Sequence, residues 1–466
     1  MSGIRLRDGD TVTTAERGRQ FWGPVAETER IVPMDVLRGF ALLGILVMNI
    51  QSFAMVGAAF DNPTAYGDLN GANFLVWLFS HLLADQKFLS IFSMLFGAGI
   101  VLIWQKAESS GARPARLHYR RVGWMILFGL LHAYLLWYDD ILYAYGMCGL
   151  FVYLFRRKSP RTLVSSALVL AAIGSLIAIG LGLFWVPHWS PDIKAEFIEE
   201  WQPSPQTINE ELAAYRGSWI DQMSDRVPSA LDIETSEFLG FYGWKASSLM
   251  LLGMALFKLG AFHAQWSRRQ YLSLVGAGLL VGIPMIIFGV VQDFAKNWDA
   301  RYALYLGEQY NYWGSYLVAL GWTGLIMMWC QGSRASALKE RMAAVGRMAF
   351  SNYILQTVIC TTIFYGHGFG YFGSVPRTGQ ILIVFAIYAA QLVIAPLWLR
   401  HFQFGPLEWL WRSVTYGKRQ PFRCVGIRLA ARHPHDGVQN DRMTHHWQED
   451  GGESGEGDVG EQHQPA

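Results

Sequence analysis

The chain has 466 residues, 52% of them hydrophobic, with a net charge of +2; only 16% are charged, against about 25% in a soluble domain. That composition excludes an ordinary multi-domain soluble protein, and with no basic stripe outside short inter-helix loops it offers nothing to nucleic acid. The apolar residues come in repeated blocks of about 17 to 25, enough to cross a bilayer core of about 30 Å. The expected fold class is therefore all-α, a polytopic bundle of transmembrane helices surrounded by membrane lipid.

Residues 1–30 form an N-terminal arm without the apolar core and small-residue cleavage site of a signal peptide, so the first apolar block is expected to act as the targeting signal. Ten spans are expected in a transmembrane domain covering 31–422. They fall near 39–57, 88–104, 122–138, 141–155, 162–186, 242–262, 271–291, 313–331, 348–365 and 379–399. The apolar stretch 73–86 reads as an interfacial or re-entrant helix leading into the second span. With the N-terminus inside, 29 of the 38 Lys and Arg fall in cytosolic segments and six in outer loops. Both termini are then cytosolic, in a bacterial inner membrane.

The one large outer loop, 187–241, carries eleven acidic residues against three basic ones. Within it Asn209 to Met223 reads as one helix, and the loop either caps a cavity or serves as a solvated connector. The tail 423–466 loses hydrophobic pattern and is expected to be disordered. Its four histidines (His433, His435, His445 and His446) read as chance clustering, and no metal site is expected. Cys148, Cys330, Cys360 and Cys424 form no CxxC pair and read as small packing residues.

Polar residues inside spans carry the functional signal, because an ionised side chain at mid-bilayer costs about 2.5–3.5 kcal/mol and seeks a cavity or a partner. Asp35 and Arg38, three apart at the inner end of the first span, share a helix face. His132 lies about 15 Å into the third span. Asp139 and Asp140 follow at the outer turn; His132 and Asp139 lie about 10 Å apart along a helix, too far for a direct pair. Lys87 opens the second span beside Asp85, where an interfacial snorkelling lysine is the default reading. Arg347 precedes the ninth span, in which Asn352 and Gln356 share a face as interhelical glue or cavity lining. Glu408 and Arg412, also four apart, sit on an amphipathic inner-side helix. The string at Gly368, Gly370 and Gly373 matches a dinucleotide fingerprint in letters only, since no strand precedes it and no soluble helix follows.

The segments RIVPMDVLRGFALLGILVMNI, KFLSIFSMLFGAG, HAYLLWYDDIL, GRMAFSNYILQT and FGPLEWLWRSVTY, in this order between about residues 30 and 420, resemble the YeiB-like family of bacterial inner-membrane proteins. The C-terminal half of that family defines a domain of unknown function. The D-x-x-R-G signature at Asp35, Arg38 and Gly39 is also similar to the opening of the acyltransferase-3 and heparan-glucosaminide acetyltransferase groups. Those proteins move acyl groups from cytosolic acyl-CoA to sugars across the membrane. No His lies between residues 1 and 80, so His132 is the comparable in-membrane candidate.

That resemblance implies a transmembrane acyltransferase. His132 would be the base, with Asp140 or Asp139 orienting an envelope glycan or small-molecule acceptor. Arg38, Asp35, Lys87, Arg347, Asn352 and Gln356 would contact the donor. Acyl-CoA would be a co-substrate, with no tightly bound cofactor. A small-metabolite transporter and a non-catalytic scaffold are the alternatives, and the absence of an internal repeat weighs against the transporter. The polar residues are expected to converge on one interior space.

Overall fold

The computed structural model describes residues 30–111 and 113–424; the expectations for the N-terminal arm and for the tail with its histidines lie outside these. The described chain is all helical. Its elements are α1 (Val32–Ala54), α2 (Ala58–Asp61), α3 (Gly71–Leu83), α4 (Lys87–Ser109), α5 (Pro114–Leu135), α6 (Ile141–Val152), α7 (Pro160–Gly180), α8 (Pro191–Trp201), α9 (Pro205–Arg216), α10 (Met223–Asp232), α11 (Gly243–Lys258), α12 (Arg268–Ala277), α13 (Ile283–Ala295), α14 (Glu308–Gln331), α15 (Ser336–Arg347), α16 (Ala349–Phe364), α17 (Arg377–Leu399) and α18 (Pro406–Tyr416). Short π-helical turns at Leu181–Trp185, Ile233–Tyr242 and Gly278–Gly282 lengthen or join the longer rods.

Helix starts follow local chemistry. Ser159, Ser190 and Ser204 each precede a proline, and each hydroxyl accepts the backbone N–H three residues on, so α7, α8 and α9 begin with a capping oxygen and a preset φ. Ser267 and Gln270 close a reciprocal capping box at the start of α12. Asp140 caps α6, accepting from Tyr143 N–H at 2.7 Å.

Five stretches are long and apolar enough to cross a membrane: Val32–Ala54, Gly71–Ser109, Pro160–His188, Arg268–Ala295 and Arg377–Leu399. Their outer faces are apolar and bare, with Leu280 78% and Phe184 71% exposed. Such a belt is the surface that a bilayer covers. The expected stretch 73–86 is α3, and it parts from α4 at Ala84–Gln86, where Gln86 adopts φ 60°.

α1 runs through the centre, with most of its residues buried among α4, α15, α16 and α17. Glycines let backbones touch. A Cβ at Gly97 would stand 1.9 Å from the Met250 carbonyl oxygen, and one at Gly253 1.9 Å from that of Met94, which fixes how closely α4 and α11 approach.

The loop 187–241 is not a solvated connector. Asn62 Nδ2 donates to the Trp201 carbonyl at 3.1 Å, Glu211 Oε1 accepts from Gly57 N–H at 2.8 Å, and Arg216 Nε donates to the Phe372 carbonyl at 2.7 Å. Trp219 Nε1 donates to the Leu135 carbonyl at 2.9 Å. The loop thus packs as a folded cap over the ends of α1, α5 and α16. The helix expected from Asn209 to Met223 is displaced: α9 spans Pro205–Arg216, and after Gly217 the chain turns until α10. In that turn Asp221 accepts from Ser218 N–H, the local side-chain-to-backbone bonding by which short polar residues compete with helix. Glycines Gly370 and Gly373, at φ 71° and 70°, form the turn that receives this cap, which is the structural use of the fingerprint-like string.

Candidate functional site: an arginine-lined cavity beneath a histidine–aspartate pair

A cavity of about 250 Å³ opens among α1, α4, α5, α6, α16 and α18. One end is basic, lined by Arg30, Arg38, Arg121, Arg347 and Arg412, with Asp35 and Glu408 as its acids. The rest is apolar, passing Ile45, Phe92, Leu95, Phe128 and Leu142 to Ile141 and Tyr353.

The i,i+3 spacing places Asp35 and Arg38 on one face, and Arg38 Nη1 donates to Asp35 Oδ1 at 2.7 Å. Arg30 stands 3.9 Å from the other Asp35 oxygen. Gly39 completes the signature for a steric reason. A Cβ there would meet the Met342 carbonyl oxygen at 2.0 Å, and one at Gly346 would meet that of Asp35 at 2.0 Å. The two glycines let α1 and α15 cross in backbone contact, which brings Arg38 and Arg347 to the same rim.

Glu408, on α18, does not neutralise the arginines directly. Its carboxylate accepts from Phe350 N–H at 2.6 Å, Ser351 N–H at 3.1 Å and Ser351 Oγ at 2.5 Å, capping the start of α16. Arg121 lies over the Trp411 ring at 4.7 Å and Arg412 over Phe404 at 4.6 Å, so aromatic faces orient both guanidiniums. Among the described residues lining this end, five arginines stand with two acids.

Above the apolar end sits His132. Its Nδ1 lies 2.8 Å from Asp140 Oδ1 and its Nε2 3.0 Å from Thr357 Oγ1. Ring and carboxylate are both buried. The roles of the ring nitrogens depend on the tautomer: with the proton on Nδ1, facing the Asp140 carboxylate, Nε2 is the acceptor for the Thr357 hydroxyl. The Tyr353 ring, one turn before Thr357 on α16, lies 5.1 Å from the imidazole. The Trp137 ring meets the imidazole edge-on at 6.1 Å and packs, tilted, against Phe53 at 4.1 Å.

The carboxylate that reaches His132 is that of Asp140, not of Asp139. Helix α5 stops at Leu135 and the chain reverses, so Asp140 at the start of α6 swings back beside it. Asp139 is only partly buried and makes no hydrogen bond to His132.

Other expected site residues do not converge. Of the proposed donor contacts, Asp35, Arg38 and Arg347 line the cavity and Lys87, Asn352 and Gln356 do not. Lys87 is fully buried rather than snorkelling, donating to the His81 carbonyl at 2.6 Å and to Asn311 Oδ1 at 2.5 Å. It belongs to a separate network with Asp85, Gln86, Lys245, Glu308 and Ser315. Asn352 and Gln356 join α16 to α17: Gln356 Nε2 donates to Gln391 Oε1 at 2.9 Å, and Gln391 Nε2 to the Asn352 carbonyl at 3.0 Å. Unpartnered polar groups seek any partner, and here three separate sets satisfy themselves. Arg121, Tyr353 and Thr357 were not singled out from sequence; the only signal was the Arg120–Arg121 pair at the inner end of a span.

Residues 256–418 match the family described as a protein of unknown function, DUF418. The chain is 32% identical to YeiB of Escherichia coli (strain K12) over 398 residues, 83% of this chain and 96% of that protein. It is 33% identical to YxaH of Bacillus subtilis (strain 168) over 419 residues, 85% and 97% of the two. The chain belongs to the YeiB-like family. A 39.9 kDa protein encoded in the amylase 3′ region of Bacillus acidopullulyticus is similar over 402 residues at 27% identity. As a YeiB-like protein with an all-α fold and bilayer-length apolar helices, the molecule is a membrane protein.

Proposed function

We propose that this YeiB-like protein is a transmembrane acyltransferase of the bacterial inner membrane, taking acyl-CoA from the cytosol and passing the acyl group to an acceptor hydroxyl on the far side. In this reading ten helices cross, both termini lie in the cytosol, and the basic end of the cavity faces inward. The acceptor is an envelope glycan or a small extracytoplasmic molecule.

The observation that carries the reading is the make-up of the cavity: arginines and apolar walls line one space, and the His132–Asp140 pair lies behind the part of its wall formed by Ile141 and Tyr353. An acyl thioester on a phosphorylated carrier has complementary parts. Phosphates pair with guanidiniums in bidentate, charge-assisted hydrogen bonds. A volume of about 250 Å³ suits a slender arm rather than a nucleotide, so the nucleotide would rest on the arginine rim. The imidazole, oriented by a buried carboxylate, is built to take and return a proton during acyl transfer.

Equilibrium binding to protein in nanodiscs tests the reading. Palmitoyl-CoA should bind more tightly than either palmitate or CoA alone, and the Arg38→Ala/Arg412→Ala double variant should weaken it. Equal affinity for palmitate and palmitoyl-CoA, unchanged by the double variant, would remove the donor site.

A further inference from the structure

The hydroxyl that His132 holds belongs to the protein, not to an acceptor. Asp140 Oδ1, His132 Nδ1, His132 Nε2 and Thr357 Oγ1 lie in sequence at 2.8 Å and 3.0 Å across the ring. All three residues are nearly inaccessible, at 5%, 3% and 1% exposure. The carboxylate is itself fixed, since Asp140 Oδ2 accepts from Tyr143 N–H. Thr357 has another acceptor, the Tyr353 carbonyl, but at 3.4 Å it is the longer contact. A carboxylate orienting an imidazole whose other nitrogen receives a hydroxyl is the arrangement that activates an alcohol as a nucleophile.

His132, Asp140 and Thr357 do not themselves line the cavity; they stand behind its wall, where Ile141, the neighbour of Asp140, and Tyr353, one turn before Thr357, face the space. An acyl arm entering from the arginine rim would bring its thioester towards this wall, against the face of α16 that carries Thr357.

We propose that Thr357 is the acyl carrier of this site: it accepts the acyl group from the donor as an ester and passes it to the acceptor. This rests on the acyltransferase reading above. In the first half-reaction His132 Nε2 takes the Thr357 proton and Oγ1 attacks the thioester carbonyl. The carbon–sulfur bond breaks, the ester bond forms, and the imidazolium returns the proton to the departing CoA thiolate. In the second, an acceptor hydroxyl gives its proton to His132 and attacks the ester carbonyl. The acyl–Oγ1 bond breaks and Thr357 regains a proton from the imidazolium. No oxidant or further reactant is needed. A carrier residue lets a donor from one side of the membrane and an acceptor from the other use the site in turn. They need never occupy it together.

The test uses the full chain in nanodiscs, without acceptor, incubated with acetyl-CoA or palmitoyl-CoA, acid-quenched and mapped by peptide mass spectrometry. The expected result is one acyl group on the peptide containing Thr357, released by hydroxylamine at alkaline pH. Thr357→Ser should keep the label. Thr357→Val, close in shape, should lose it while still binding palmitoyl-CoA. His132→Gln should slow labelling by about 100-fold or more, the range of general-base catalysis, again with donor binding kept. Donor bound at the cavity without any acyl-Thr357, or a label that persists in Thr357→Val, overturns the carrier and leaves the donor site standing. Failure of every form to bind palmitoyl-CoA overturns both. If Thr357→Val unfolds, the Thr357→Ser result and the wild-type map decide the matter alone.

Discussion

Two buried charged regions of this molecule behave in opposite ways. Around Lys87 and Lys245 the cations face Asp85 and Glu308, and Gln86, Asn311 and Ser315 take up remaining donors and acceptors in contacts that bind α4, α11 and α14 together. At the arginine rim the described lining residues include five arginines and two acids, one of which caps the start of α16, and an open volume adjoins them. Charge within a membrane therefore does not by itself mark a site. A balanced, saturated network reads as a joint, whereas unbalanced charge beside empty apolar space reads as a receptor for an anion with a greasy arm.

The comparison breaks most directly through its balanced half. Lys87→Met leaves the His81 carbonyl and Asn311 Oδ1 without their buried donor, at about 1–3 kcal/mol for each unsatisfied group. The expected outcome is loss of monodisperse protein on size exclusion in detergent, or a steep fall in its unfolding midpoint. A stable, well-behaved Lys87→Met protein would show that the network is not a joint.

The unbalanced half should respond in the other sense. Arg412→Ala and Arg38→Ala are expected to leave folding largely intact and to lower palmitoyl-CoA affinity by about 10-fold or more each, the worth of one charge-assisted contact. Added salt should narrow the difference from wild type by screening the exposed rim. Binding that resists both substitution and salt would point to an apolar site only.

Between these lies the α1–α15 crossing that shapes the rim. Gly39→Ala forces a methyl against the Met342 carbonyl, so the helices must part. Overpacking of this kind costs about 1–3 kcal/mol. Donor affinity should fall although no charge is altered, and Gly39→Ala in a binding titration checks it.

The smallest expected effect concerns the cap. Burial, helped by nearby Asp225, pushes the Glu211 carboxyl up to about 8, against the lowering effect of the Gly57 N–H bond. The docked cap thus holds a proton that the undocked cap releases. Docking is strongest below the ordinary carboxylate range and is lost progressively as pH rises through about 8, by at most about tenfold per pH unit. Hydrogen exchange of residues 205–226 should therefore quicken between pH 6 and 8 after correction for the intrinsic rate. Glu211→Gln, which keeps a neutral acceptor for Gly57, should flatten that dependence.

Much of the fold was legible in the sequence because lipid imposes a blunt constraint: apolar blocks of bilayer length must be helices, and Ser-Pro pairs mark where several of them begin. The Asp35–Arg38 pair was legible too, since i,i+3 contacts follow from helix geometry alone. What lay beyond reach depends on where helices stop and which ones meet. The end of α5 at Leu135 makes Asp140 a partner of His132. Lys87 meets Asn311 across 224 residues of sequence, and no local pattern shows that it will be satisfied there. Thr357 reads as one small polar residue in an apolar helix until its hydroxyl is seen against His132.

The most direct measurement of the central claim is the site of attachment of a photoreactive acyl-CoA carrying its reactive group on a short acyl chain, beside the thioester. Attachment should map to the cavity wall, at Phe92, Phe128, Leu142 or Tyr353, be blocked by excess palmitoyl-CoA, and diminish in Arg38→Ala. Attachment confined to the lipid-facing belt around Phe184, Leu280 and Phe385, indifferent to competitor and to Arg38, would contradict it.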